Sequence, residues 1–293
     1  MSQVSAADSV WSVRRVLTWA AEDLKRRGND TARLDAELLL SRVLELDRIG
    51  LIMHSERPLH PTELDRFREL FKRRRAGEPV AYLLGEREFY GLPLRVDARA
   101  LIPRPDTERL VEVALERTRA RSMRGAALDL CTGSGCVAIA FARARPTWSV
   151  TASDISAEAL SLARHNARRT GAVRNLTLCE GSLFAPVAGR RFDLVTANPP
   201  YIPSHEIAEL PVDVRGFEPL LALDGGPDGL HLVRQISAKA SEHLNPGGLL
   251  ALEIGADQGA RAAGILEQQG FRAVEVALDL GGRTRVVSGY GPL

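Results

Sequence analysis

No stretch of the chain approaches the roughly 18 uninterrupted apolar residues that a membrane-spanning helix needs. The opening residues, MSQVSAADSVWSVRRV, hold no continuous apolar core of a leader segment. Both absences point to a cytoplasmic protein with no membrane partner. Cysteine is scarce: Cys131, Cys136 and Cys179 make neither a paired framework nor a metal-ligand spacing, and each sits in an apolar stretch, which predicts three reduced thiols. The 6 histidines are scattered without partners at ligand spacing, so no metal centre is expected. Neither sign of charge is in excess: 39 Lys and Arg against 37 Asp and Glu leave a balance of +2, which gives no whole-chain attraction for nucleic acid. One dense basic run, Lys72 to Arg75, closes a helix whose carboxyl end favours cations. It reads as a solvated helix end, with a docking contact for a protein partner as the sharper alternative.

What the chain does have is length and apolar content. Its 293 residues, 45% of them hydrophobic, are enough for one large α/β domain with a smaller companion. Before about residue 80 the pattern is helical: Val10, Val13, Leu17, Ala20 and Leu24 fall on one stripe ending at Gly28, and Leu34 and Leu38 on another. A further helix opens at Pro61, carries Leu64, Phe67 and Phe71 inward, and stops at Gly77. The run FYGLPLRV, residues 89–96, predicts a hairpin around Gly91, and IPRPDT, residues 102–107, is too rich in proline for regular structure. These boundaries divide the chain into a helical bundle over 1–80, a hairpin and linker over 81–108, and a second domain over 109–293. From Ala126 onward apolar strands alternate with helix-sized segments: ALDL, SVTASD, LTLCE and FDLVTA, then LLALEI, VEVALDL and TRVVSGY. That alternation predicts βαβ crossovers in a doubly wound, mostly parallel sheet, with ligands at the strand carboxyl ends. Only a short turn around Gly281 and Gly282 precedes Thr284 to Tyr290, so this last strand is expected to run antiparallel to its neighbour.

Two motifs carry chemistry. Cys131, Thr132, Gly133, Ser134 and Gly135 follow the first strand of this domain, where absent side chains let a ligand approach a helix amino end. Gly133, Gly135 and Ala138 satisfy a GxGxxA fingerprint, and Asp154 ends the next strand, where a carboxylate grips ribose hydroxyls. Nicotinamide cofactors and S-adenosylmethionine both carry such a ribose. The second motif, Asn198, Pro199, Pro200 and Tyr201, follows an apolar run, Phe192 to Val195, that reads as a buried strand, and forms a stiff, extended edge. Asn198 offers a side-chain carbonyl and Pro199 a main-chain carbonyl, two acceptors for the hydrogens of one NH2 group, and Tyr201 offers a flat face. A dehydrogenase has no use for this edge, whereas methyl transfer needs a nitrogen held in line with a sulfonium methyl. The donor implied is S-adenosylmethionine, and the acceptor an amide or an exocyclic amine.

These motifs, with GEREFYGLPLRV and LIPRPDTE (85–108), VRGFEPLLALDGGPDGL (214–230) and LEIGADQG (252–259), resemble the N5-glutamine methyltransferases of peptide chain release factors over nearly the whole chain. The resemblance implies a class I S-adenosylmethionine-dependent methyltransferase fold with a small N-terminal helical bundle that helps recognise the protein substrate. It implies as substrate the glutamine of a Gly-Gly-Gln loop, with no direct nucleic-acid contact and a monomeric enzyme. By position, Cys131 to Gly135 would line the methionine part of the cofactor, Asp154 would hold its ribose, Asn198 and the Pro199 carbonyl would hold the glutamine amide, and Tyr201 would shape the pocket. The chain departs from the family pattern twice: Cys131 replaces a glycine, and Ser182 and Leu183 stand where many relatives have an acid and a bulky residue beside the adenine. Arg104, Glu218 and Glu253 lie in the shared stretches as loop-orienting or site-lining candidates. The competing acceptors are a ribosomal-protein glutamine and the N6 of adenine in DNA or RNA; a non-catalytic binding module is the reading outside enzymes.

Overall fold

The computed structural model describes residues 10–292, which form two compact units meeting in sequence at Gly85 and Glu86. The reading that residues 1–16 hold no leader falls mostly outside this range. The first unit is helical: α1 (Val13–Arg26), α2 (Ala32–Leu44), α3 (Arg48–Met53), α4 (Pro61–Arg75) and α5 (Val80–Leu84). Ser12 caps α1, its hydroxyl accepting from the Arg15 amide, and His60 with Glu63 forms a reciprocal cap at α4, whose first residue is Pro61. Val13, Leu17, Ala20 and Leu24 are buried as expected, but Val10 precedes the helix and is 46% exposed.

In α2 the inward face is turned away from the predicted one. Leu34 is 39% exposed and Leu38 only half-buried, while Ala36, Leu39, Leu40 and Val43 are buried. The cause is Asp35, a charged residue on the buried face that an apolar stripe count passes over. It accepts from Asn29 Nδ2 at 2.7 Å, Thr31 Oγ1 at 2.9 Å and Arg74 Nε at 2.8 Å. The basic run at the end of α4 is therefore not simply a solvated helix end. Arg74 is half-buried against buried Asp35, Arg73 pairs with Glu78, and Arg75 pairs with Asp23 at 2.9 Å.

The second unit opens with the hairpin β1 (Glu86–Phe89) and β2 (Leu92–Arg95), followed by a 3-10 turn at Pro105–Thr107 and α6 (Glu108–Arg117). The predicted boundaries at 80 and 108 shift accordingly: Leu83 of α5 belongs to the helical core, and Phe89 and Leu94 of the hairpin bury in the core of the second unit. Next come β3 (Ala126–Leu130), α7 (Cys136–Ala144), β4 (Ser149–Asp154), α8 (Ala157–Thr170), β5 (Leu176–Glu180), β6 (Phe192–Ala197), α9 (Val212–Arg215), α10 (His231–His243), β7 (Leu244–Glu253), α11 (Gly259–Gln268), β8 (Arg272–Leu278) and β9 (Thr284–Tyr290). Seven strands make one sheet in the order β5-β4-β3-β6-β7-β9-β8, parallel except for β9, which is antiparallel to both β7 and β8. This is the class I methyltransferase architecture expected from the sequence.

Alternate strand residues feed two apolar layers. Ala127, Leu249, Ala251 and Val286 join α6, α7 and the hairpin, with Trp148 against Phe141. Leu128, Leu130, Leu250, Leu252 and Val287 join α10 and α11 on the other face. The chain leaves β3 toward β4 on one side, while β6 lies on the other, so a crevice opens at the carboxyl ends of β3 and β6.

Candidate active site

The sheet register sets the two motifs side by side. Leu130 pairs with Ala197, so Cys131 and Asn198 are the first residues beyond neighbouring parallel strands. Below them Asp129 is buried and held on both oxygens, accepting from Thr132 Oγ1 at 2.6 Å and from Thr196 Oγ1 at 2.8 Å across the strand pair. Burial raises its pKa to about 6, against the two hydroxyls, which favour the charged form. Asp129 thereby ties the loop to the sheet. The Gly133 amide donates to Asp154 Oδ2 at 2.8 Å and the Ser156 amide to Asp154 Oδ1 at 2.9 Å. Each carboxylate oxygen keeps a lone pair for another donor.

A cavity of about 220 Å³ lies over this loop. Of the residues singled out in sequence, Cys131, Thr132, Gly133, Ser134, Asp154, Ser182, Leu183, Asn198 and Pro200 line it. Gly135, Pro199 and Tyr201 are not among its lining residues. Gly135 caps α7 with φ 83°, and a β-carbon there would stand 3.0 Å from Ile139 Cδ1 and 3.1 Å from Ala163 Cβ, so its smallness serves helix packing. Tyr201 presents no flat face to the cavity: its hydroxyl donates to Glu253 Oε1 at 3.4 Å, and its main-chain carbonyl accepts from Gln258 Nε2 at 2.8 Å. Burial raises its pKa far above the ordinary tyrosine value. Cys131 has φ 54°, the left-handed region that costs a side-chain-bearing residue roughly 1 kcal/mol. A side chain at this position thus stores strain in the loop itself. Burial also pushes its thiol pKa upward, which disfavours a thiolate.

The edge from Asn198 to Tyr201 is braced from outside by residues 223–229. The Ile202 amide donates to the Leu223 carbonyl at 3.1 Å, the Gly225 amide to the Ile202 carbonyl at 2.8 Å, and the Ser204 amide to the Gly226 carbonyl at 2.9 Å. Backbone passes so close that a β-carbon on Gly225 would lie 2.7 Å from Tyr201 Cα and 2.8 Å from the Pro200 carbonyl oxygen. The cavity roof comes from two further segments. Pro103 and Arg104 face Pro219 and Leu221 across it, joined by the ion pair of Arg104 with buried Glu218, which also accepts from the Ile102 amide at 3.0 Å. Glu253 does not line the cavity and accepts from the Tyr201 hydroxyl, whereas Thr107 does line it and accepts from Asn198 Nδ2 at 3.2 Å. One residue of the site is hard to read in sequence: Thr107 looks like one polar residue of a proline-rich loop.

Residues 15–85 match the family described as the PrmC N-terminal domain, and residues 107–211 that described as the methyltransferase small domain. A release factor glutamine methyltransferase of Geobacter sulfurreducens is 45% identical over 280 residues, 96% of this chain and 97% of its own. One of Vibrio cholerae is 43% identical over 279 residues, 95% and 96% of the two chains. This chain belongs to the release factor glutamine methyltransferase family. Solved structures extend the likeness in fold alone. A methyltransferase of Pyrococcus furiosus superposes with a TM-score of 0.52 at 20% identity, covering 69% of this chain and 90% of its own. The hMettl16 catalytic domain, in complex with MAT2A 3'UTR hairpin 6, gives 0.57 at 16% identity over 73% and 81%.

Proposed function

We propose that this protein methylates the side-chain amide nitrogen, N5, of the glutamine in the Gly-Gly-Gln loop of peptide chain release factors, with S-adenosylmethionine as donor. The observation that carries the reading is the side-by-side exit of the glycine loop and Asn198 onto one cavity. The cavity fits that donor on its own chemistry. Asp154 keeps an acceptor site on each oxygen for a pair of ribose hydroxyls, and a β-carbon on Gly133 would meet nothing nearer than Ala100 Cβ at 3.9 Å, leaving room over the loop. Bound there, S-adenosylmethionine would supply a methyl on a sulfonium, whose sulfur keeps the bonding electron pair as the new carbon–nitrogen bond forms, the nitrogen then giving up one of its hydrogens as a proton.

The chain's own residues do the rest. Cys131, Thr132, Gly133 and Ser134 line the methionine end, Asp154 holds the ribose, and Ser182 and Leu183 border the adenine. Asn198 Oδ1 and the Pro199 carbonyl accept the two hydrogens of the glutamine amide, which orients its nitrogen and stabilises positive charge developing there. Pro200 and its neighbour keep this edge extended, and Tyr201 supports it from behind. The helical unit takes part in recognising the release factor. A net charge of +2 suits a protein loop as substrate better than a phosphate backbone.

Labelled S-adenosylmethionine offered to purified release factors, ribosomal protein and adenine-containing nucleic acid should mark one release-factor glutamine, located by peptide mapping. Label on nucleic acid with none on a protein glutamine would overturn the reading. Asn198→Ala should lower kcat by about 100-fold or more while the Kd for S-adenosylmethionine stays within about threefold.

A further inference from the structure

Tyr201 ends the substrate edge, and its main-chain carbonyl is gripped by a residue outside the cavity lining. That residue is Gln258, which caps α11 and is 1% exposed. Its side-chain amide meets two groups of fixed character: Oε1 accepts from the Gly255 amide at 2.9 Å, and Nε2 donates to the Tyr201 carbonyl at 2.8 Å. A main-chain N–H only donates and a main-chain carbonyl only accepts, so the Gln258 amide has one orientation. Its own main-chain N–H donates to the Gly255 carbonyl at 3.0 Å, which folds residues 255–258 into a tight turn just beyond β7. Gly229 closes the contact from the other side, where a β-carbon would overlap both the Tyr201 carbonyl oxygen and Gln258 Nε2.

The edge behaves as a short rod. Pro199 and Pro200 each fix φ, which removes two of the rotations between Asn198 and Tyr201. One end of the rod is set by the sheet, where Ala197 pairs with Leu130 and Leu252. At the other end Ile202 bonds to Leu223 and Gly225, but those belong to a further loop. Gln258 refers this end back to the sheet: its turn follows β7 directly, and the Ile254 amide donates to the Arg285 carbonyl of β9 at 2.9 Å. We infer that Gln258 is a positioning residue for methyl transfer, holding the far end of the edge so that Asn198 Oδ1 and the Pro199 carbonyl stay aimed at the acceptor nitrogen. This rests on the reading of Asn198 to Tyr201 as the edge that receives the glutamine amide. Glutamate at this position would set a carboxylate oxygen against the Tyr201 carbonyl, and methionine would leave both main-chain partners without their bonds.

The test is Gln258→Glu, which keeps the size of the side chain and the contact with Gly255 and exchanges the donor for an acceptor. Methylation of a release factor gives kcat and KM, and calorimetry gives the Kd for S-adenosylmethionine. The Tyr201 carbonyl is read directly: the sequence has a single Tyr-Ile step, at 201 and 202, so protein labelled with 13C in the tyrosine carbonyls and 15N in isoleucine gives one carbonyl–amide NMR peak. Gln258→Glu should move that peak and lower kcat by about 10- to 100-fold, with KM and cofactor Kd within about threefold. Gly229→Ala, which wedges the same contact apart with Gln258 intact, should move the peak and lower kcat alike, and it carries the test if Gln258→Glu does not fold. In the double variant the loss should fall short of the product of the single losses, since both break one bond. An unmoved peak, a moved peak with kcat near wild type, or a fall in kcat matched by lost cofactor binding overturns the role. A wild type that methylates no release-factor glutamine overturns instead the functional reading beneath it.

Discussion

Glu253 is a single buried carboxyl group whose protonation bears on stability. Burial raises its pKa from 4.5 to about 7, opposed by the Thr107 hydroxyl, the Arg285 charge and the Tyr201 hydroxyl, with Asp106 adding to the rise. The folded pKa lies above the unfolded one, so the contribution is complete below about 4.5 and is lost as pH rises through about 7. Asp129, raised from 3.8 to about 6 mainly by burial, acts in the same direction. Denaturant titrations should show Glu253→Gln gaining most over wild type on the alkaline side of about pH 7, by on the order of 3 kcal/mol.

At the scale of elements, the substrate edge is only as straight as the segment that braces it. The Gly225 position admits no β-carbon without moving Tyr201 or the Pro200 carbonyl. Gly225→Ala should displace the edge while leaving the glycine loop and Asp154 in place. The expected outcome is a loss of about 100-fold in kcat, since small misplacements of reacting groups cost that much, with cofactor Kd little changed. Equal losses in both would show that the brace supports the whole cavity. This constraint is not legible in sequence, where GGPDG reads as a turn and nothing reveals which backbone passes it. The same limit applies to Gly135, which fits a fingerprint for ligand approach yet packs α7 against Ala163 of α8. By contrast β3, β4, β5 and β6 are plain in the sequence, because alternating or continuous apolar residues bounded by glycine and proline leave them no other packing.

For the molecule as a whole, the doubly wound sheet, its antiparallel last strand and the placement of both motifs at the crevice follow from the order of apolar segments and the lengths between them. What that order leaves unresolved is where charge is buried. Asp35 turns the inner face of α2, Thr107 faces the cavity from a proline-rich turn, and Glu253 is buried outside the cavity lining. A buried polar group is recognised by its partners, and those come from distant parts of the chain: Arg74 for Asp35, Asn198 for Thr107. Sequence spacing carries no record of such pairings.

The insertion of β9 between β7 and β8 has a consequence in time. Glu253 of β7 lies opposite Val286 of β9, the strand whose residues are synthesised last among those described. The β7 edge from Leu249 to Glu253 waits for that strand, and this stretch pairs on its other side with the strand that leads to Asn198. A nascent chain that has made the glycine loop, the substrate edge and most of the sheet still lacks a firm floor under them, so competence should arrive late and in a single step. During refolding, methyl-transfer activity should return in the phase that protects the β7 amides from hydrogen exchange, even where β3, β4 and β6 are protected earlier. Activity ahead of β7 protection would contradict this.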